Sequence, residues 1–295
     1  MPVIESNGLQ LTYDTRGDPK GEPLLLIMGL GMQMIAWPEV FCDALAARGF
    51  YVIRFDNRDS GLSTKLDHLG KPNLLLAFAK SFLRLPLKAP YKLDDMAQDT
   101  IGLLDALGIV RAHVVGASMG GMIAQIVAAR HPQRVRSLTS IMSTSGRRGL
   151  PGPTSEARSA LMSRPANPHD IDALVNHLMQ TFRVIGSPGY PIPEAQLRER
   201  LEAAVRRNVS TAGVTRQLVA IGASGDRVSL LKSVQAPTLV IHGQDDPLVP
   251  LECGRDTARL IPGARIHEIE GMGHDFPPAL YTTLVQLIGD HCGAA

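Results

Sequence analysis

The chain opens on a short alternation: Leu9, Leu11 and Tyr13 take every second position after Asn7-Gly8, a dipeptide that favours the two-residue turn of a hairpin. The pattern then changes. Leu24–Met28 is a continuous apolar run, as expected of a strand buried on both faces. Tyr51–Phe55 (with Arg54 near its end), Ala112–Val115, Val135–Met142 and Thr238–Ile241 repeat it, and Arg265–Ile269 is a shorter, more polar run suited to a sheet edge. Helical spacing falls between these runs. It predicts helices over Val40–Arg48, over Asp94–Leu107 with Gly108 as its stop, over Met119–Arg130 up to His131-Pro132, and over Leu280–Ile288. Alternation of this kind predicts an α/β fold, a mostly parallel sheet with helices on both faces.

One segment breaks the rhythm. From Ser145 to about Lys232 no run reads as a buried strand, seven prolines lie between Pro151 and Pro193, and helical spacing returns at Ile171–Phe182 and Glu194–Arg207. The expected organisation is therefore a core of residues 1–144 and 232–295 with a helical cap inserted over 145–231. Arg206-Arg207 reads as a solvated helix face.

Composition narrows the function classes. At 295 residues, 44% hydrophobic and 20% charged, the chain can bury a sizeable core and is not of disordered composition. A net charge of +2 gives no basic excess for nucleic acid or an anionic membrane. The apolar run at Leu24–Met28 is far too short to span a bilayer, and the N-terminus lacks the basic start and apolar stretch of a signal peptide. Cys42, Cys253 and Cys292 are odd in number and far apart, which suits neither a disulfide framework nor a Cys-x-x-Cys metal pair. The expectation is a cytoplasmic protein with a small-molecule partner, no nucleic acid and no membrane.

The sharpest chemical signal is Gly116-Ala117-Ser118-Met119-Gly120, between the strand at Ala112–Val115 and the helix from Met119. A serine on so tight a strand–turn–helix corner projects its hydroxyl above the sheet edge, and the helix N-terminus offers free N–H groups to a developing oxyanion. A serine needs a base, and the base an orienting acid. Asp245 and Asp246 follow the strand ending in His242-Gly243, and His274 sits on the glycine-hinged loop after Arg265–Ile269. All three positions fall on one rim, in the chain order Ser…Asp…His.

These stretches, Leu24–Gly29, Val52–Ser63, Ala112–Gly120, Pro237–Pro250 and Ile261–His274, resemble the alpha/beta-hydrolase superfamily. Within it they are similar to the serine esterases that include aclacinomycin methylesterase. The resemblance covers the core and fades in the cap. It implies Ser118 as nucleophile, His274 as general base, Asp246 (directly before Pro247) rather than Asp245 as the acid, and the backbone N–H groups of Leu30 and Met119 as oxyanion donors. It implies a serine hydrolase that cleaves a carboxylic ester of a small, largely apolar substrate through an acyl-enzyme, with no cofactor and no metal. The same triad also suits a carbon–carbon bond, a lactone or an amide. One position departs from the family pattern: Met28 stands where many members have a histidine, leaving no side-chain donor there to brace the loop.

Other residues take quieter roles. Asp275 reads as a cap for the following helix, and His242 as packed or hydrogen-bonded at its strand end. Asp56, Arg58 and Ser63 match a family turn that braces the core. Histidines 68, 113, 131, 169, 177, 267 and 291 show no metal spacing. Met28, Met32, Met34, Met119, Met122 and Met272 crowd the motifs; most suit the core, and several suit an adaptable apolar pocket. A distant rival is an NAD(P)-binding oxidoreductase, because residues 24–56 run from a strand through Gly29-Leu30-Gly31 to Asp56, which could hold a ribose. Met34 stands at its third glycine position, and it leaves the contexts of Ser118, Asp246 and His274 unexplained. A catalytically dead receptor on the same fold is a third reading; the presence of all three triad residue types weighs against it.

Overall fold

The computed structural model describes residues 1–295 apart from 75, 78–79, 81–84, 86 and 168–169; His169 therefore lies outside the described residues. Eight strands form one sheet: β1 (Val3–Ser6), β2 (Leu9–Arg16), β3 (Glu22–Ile27), β4 (Phe50–Phe55), β5 (Ala112–Ala117), β6 (Val135–Ile141), β7 (Thr238–Gly243) and β8 (Arg265–Ile269). Their order is β1-β2-β4-β3-β5-β6-β7-β8. The first two strands pair antiparallel through the Asn7-Gly8 turn, whose residues both have positive φ, and β2 runs antiparallel to β4; the remaining pairs are parallel.

The apolar runs form strands because both sheet faces are covered. Along β3, Leu25 and Ile27 enter the cluster that holds Val114 and Met96, while Leu24 and Leu26 enter the opposite cluster with Trp37 and Ile241. β8 lies at the edge, which explains its half-polar pattern.

Among the described residues the helices are α1 (Glu39–Ala46), α2 (Leu93–Ala106), α3 (Met119–Arg130), α4 (Ser155–Met162), α5 (Ile171–Ile185), α6 (Glu194–Arg207), α7 (Thr211–Ser224), α8 (Val228–Leu231), α9 (Leu251–Leu260) and α10 (Tyr281–Gly293). α3 is buried on every side from Met119 to Ala128, since the sheet lies under it and α2 and α8 lie against it. The segment between β6 and β7 carries α4 to α8, and α5 and α6 share a small core of Val175, Met179, Leu197, Leu201 and Val205. No helix among the described residues is long and apolar enough to cross a membrane.

Four helices, α4, α7, α8 and α9, have no counterpart among those the hydrophobic pattern predicts. The buried face of α7 carries Thr215, Arg216 and Gln217 beside Val219 and Ala220, so it presents no apolar stripe. Gly254, Asp256 and Thr257 do the same to α9. The reading of Arg206-Arg207 as a solvated face holds for Arg206 alone. Arg207 turns inward, pairs with buried Asp56 at 2.7 Å and donates to Gln33 at 2.6 Å.

Candidate active site

Parallel strands put their C-terminal ends on one rim, and three of those ends carry the residues that meet. Ser118 follows β5 with φ 54° and ψ −119°, a region in which a residue bearing a side chain is strained. The corner closes only because its neighbours lack side chains. A Cβ on Gly116 would lie 2.2 Å from the Gly120 carbonyl oxygen, and one on Gly120 would lie 2.1 Å from that of Ile27. The Ser118 backbone is tied down by its N–H on Ile141 O at 2.9 Å and by Ser143 Oγ donating to its carbonyl at 2.8 Å.

His274 lies on the loop after β8, and its Nε2 is 3.0 Å from Ser118 Oγ. Its Nδ1 is 2.7 Å from Asp246 Oδ2. A carboxylate only accepts, so the proton sits on Nδ1 and Nε2 is left to accept from the serine hydroxyl. Asp246 is buried, and its second oxygen takes the backbone N–H groups of Leu248 at 2.9 Å and Val249 at 2.8 Å. Asp245 is exposed and turned the other way, accepting from the Gly271 N–H at 2.9 Å. His242 lies 3.7 Å from the same Oδ2, with its Nε2–H on Val249 O at 2.7 Å. Burial lowers its pKa, opposed by the hydrogen bond to Val249 and the charge of Asp246.

Gly29 lies over Ser118: a Cβ there would be 3.6 Å from Ser118 Oγ. Among the described residues, the backbone N–H groups of Leu30 and Met119 donate to no protein acceptor, and Met119 is the first residue of α3. The missing donor at Met28 has a replacement, since Asn57 donates through Nδ2 to Met28 O at 3.0 Å. A hydroxyl, an imidazole and a buried carboxylate in this chain, with two free N–H groups near the hydroxyl, can perform nucleophilic acyl transfer.

Comparisons with known proteins give the family. Residues 22–277 match the alpha/beta hydrolase fold family. The chain belongs to that family. As an alpha/beta hydrolase it is 30% identical to the rhodomycin D methylesterase of Streptomyces peucetius over 99% of this chain and 98% of that one. It is 28% identical to a 2-hydroxy-6-oxononadienedioate/2-hydroxy-6-oxononatrienedioate hydrolase of Paraburkholderia phymatum, over 90% of this chain and 85% of that one. In fold it is similar to a meta-cleavage product hydrolase from Pseudomonas fluorescens IP01, with a TM-score of 0.74 and 22% identity over 100% of this chain and 98% of that one.

The dinucleotide reading fails in this hydrolase on its own residues. Asp56 is fully buried, accepts from the backbone N–H groups of Met34 and Leu62 at 2.8 and 2.9 Å, and pairs with Arg207, so it has no oxygen to offer a ribose. Nor does a helix open at Gly31; only a single 3-10 turn at Met34–Ala36 precedes α1. Arg58 and Ser63 brace the core as expected, Arg58 by a bidentate pair with Asp99 at 2.6 Å and Ser63 by donating to Asp56 O at 2.6 Å.

Asp275 is not a helix cap. α10 begins at Tyr281, and Asp275 is buried, accepting from Ser187 Oγ. Burial raises its pKa, opposed by that hydrogen bond. Ser187 also accepts the Gly273 N–H at 2.9 Å, and the His274 N–H donates to Ile185 O at 2.7 Å. The end of α5 and the turn after it thus hold the histidine loop. Ser187 and Asn57 carried no signal in the sequence, because their partners are backbone groups and carboxylates remote along the chain.

Proposed function

We propose that this chain is a serine carboxylesterase that cleaves a carboxylic ester of a small, largely apolar substrate through an acyl-enzyme. The reading rests on one observation: Ser118, His274 and Asp246 form a continuous hydrogen-bonded series at 3.0 and 2.7 Å. Ser118 Oγ attacks the ester carbonyl while its proton passes to His274 Nε2. Asp246 stabilises the imidazolium, and the N–H groups of Leu30 and Met119 hold the oxyanion. His274 then gives the proton to the departing alkoxide, leaving an acyl-Ser118. Water, deprotonated by His274, attacks that acyl group; the acid leaves and the proton returns to Ser118.

The full-length likeness to a methylesterase favours an ester over the other bonds this triad can cleave. Residues 145–231 act as the cap over the core of 1–144 and 232–295 and set the choice of acyl group. A reducing, cytoplasmic setting goes with three free, buried cysteines. The test is a panel of methyl and larger esters, lactones, amides and vinylogous diketones, run against wild type and Ser118→Ala. Esters should be hydrolysed fastest, and only by wild type. A panel led by the diketones or amides would overturn the ester assignment.

A further inference from the structure

We infer that Gln217, on the inserted helix α7, is a positioning residue for the oxyanion donor at Leu30. The inference rests on the esterase reading above. Residues 29–32 form a turn closed by the Met32 N–H on Gly29 O at 3.2 Å. Gly31 has φ +67°, and Leu30 is not in the left-handed region; among hydrogen-bonded turns that is the type II pattern. Types I and II differ by a flip of the central peptide, which joins Leu30 to Gly31, so an outside contact on that peptide selects between them.

Gln217 supplies the contact. Its Oε1 accepts the Gly31 N–H at 2.8 Å, and its Nε2 donates to Arg58 O at 2.8 Å and Ser60 Oγ at 3.0 Å. The Arg58 carbonyl can only accept, which fixes the amide nitrogen on that side and turns the amide oxygen to Gly31. A flipped peptide would put the Leu30 carbonyl against that oxygen. The anchor is itself rigid, since Arg58 is clamped to Asp99 and Arg216 to Asp59. Val214, one helical turn before Gln217 on the same face, packs on Gly31 so closely that a Cβ there would meet its Cγ2 at 2.7 Å. Gln217 is fully buried and touches no reacting atom. It fixes the peptide that directly follows the proposed donor, and through it the inserted helix holds the turn that carries Leu30.

Two variants separate positioning from mere packing. Gln217→Met fills the space without an acceptor; Gln217→Glu keeps an oxygen for the Gly31 N–H but buries a charge. Positioning predicts that the Met variant loses tenfold to a hundredfold in kcat with KM within about threefold. Its Ki for a trifluoromethyl ketone, which adds to the serine and needs the oxyanion site, should rise by the same factor. Positioning also predicts that the Glu variant turns over faster than the Met variant while melting at a lower temperature. A folded Met variant with wild-type kcat and Ki, or kcat values that simply follow the melting temperatures, overturns the inference. Ser118→Ala, assayed alongside, separates the two failures. Ester turnover surviving in it removes the parent reading, whereas an inactive Ser118→Ala beside an unimpaired Gln217→Met removes only the role of Gln217.

Discussion

Replacing Asp246 by asparagine changes one atom and poses a choice that the surrounding hydrogen bonds decide. In the wild type one carboxylate oxygen faces His274 Nδ1–H at 2.7 Å, and the other faces two backbone N–H donors at 2.9 and 2.8 Å. An asparagine has one acceptor for these three donors. If its oxygen stays on His274, its NH₂ group is driven against Leu248 N–H and Val249 N–H in a buried site. Two donors outweigh one, so the amide oxygen turns to the backbone and the NH₂ group turns to Nδ1. The imidazole must then accept at Nδ1 and carry its proton on Nε2, where it can no longer take the proton of Ser118. Loss of the negative charge removes the stabilisation of the imidazolium as well. Together these should lower kcat by roughly three to four decades, about 4–5 kcal/mol of transition-state stabilisation. Asp245 is exposed and accepts a single N–H from Gly271, a bond that an asparagine oxygen can keep, so Asp245→Asn should stay within about tenfold of wild type. Parallel steady-state kinetics on a chromogenic ester, with circular dichroism to show that both variants fold, compare the two. An Asp246→Asn enzyme within tenfold of wild type, or an Asp245→Asn enzyme that is the slower of the pair, refutes the assignment of the acid.

Ser118→Ala and His274→Ala should each lower kcat by roughly three decades or more, and the double variant should be little worse, because the two residues act as one unit; fully additive losses in the same assay would argue for independent roles. Leu30→Ala should keep most activity, whereas Leu30→Pro deletes the backbone donor at a turn position that proline favours and should cost about a hundredfold in kcat. A folded proline variant with normal kcat contradicts the donor at Leu30. Stability should fall on acidification partly through His113, whose pKa burial and the nearby Arg136, His291 and Arg111 lower from 6.5 to about 4. Between those values the unfolded chain binds the proton that the folded protein refuses, so stability present above pH 6.5 is lost as pH falls toward 4. His113→Gln should shrink the drop in Tm across that interval, and an undiminished drop counts against this origin.

The strands and the rim were legible because burial on both faces leaves a continuous apolar run, and because the elbow needs glycine at fixed offsets from Ser118. The order of Ser118, Asp246 and His274 along the chain could be read for the same reason: each follows a recognisable strand end. What escaped was held by polar contacts between distant segments. α7 buries Arg216 and Gln217 rather than a hydrophobic stripe, so periodicity does not report it. Arg207 looks like a surface residue until the fold brings it to Asp56. Asp275 looks like a cap because it precedes a helix, but the chain takes a further turn at Pro278–Leu280 before α10 begins, and its carboxylate is engaged by Ser187.

The most direct test of the proposed chemistry is covalent labelling with a serine-directed fluorophosphonate, read by peptide mass spectrometry. The hydroxyl of Ser118, backed by His274, should take one label per chain in step with the loss of ester hydrolysis, and Ser118→Ala should remain unlabelled and inactive. A label on another residue that tracks the loss of activity, or ester turnover that persists after Ser118 is fully modified, would contradict the assignment of Ser118 as the nucleophile.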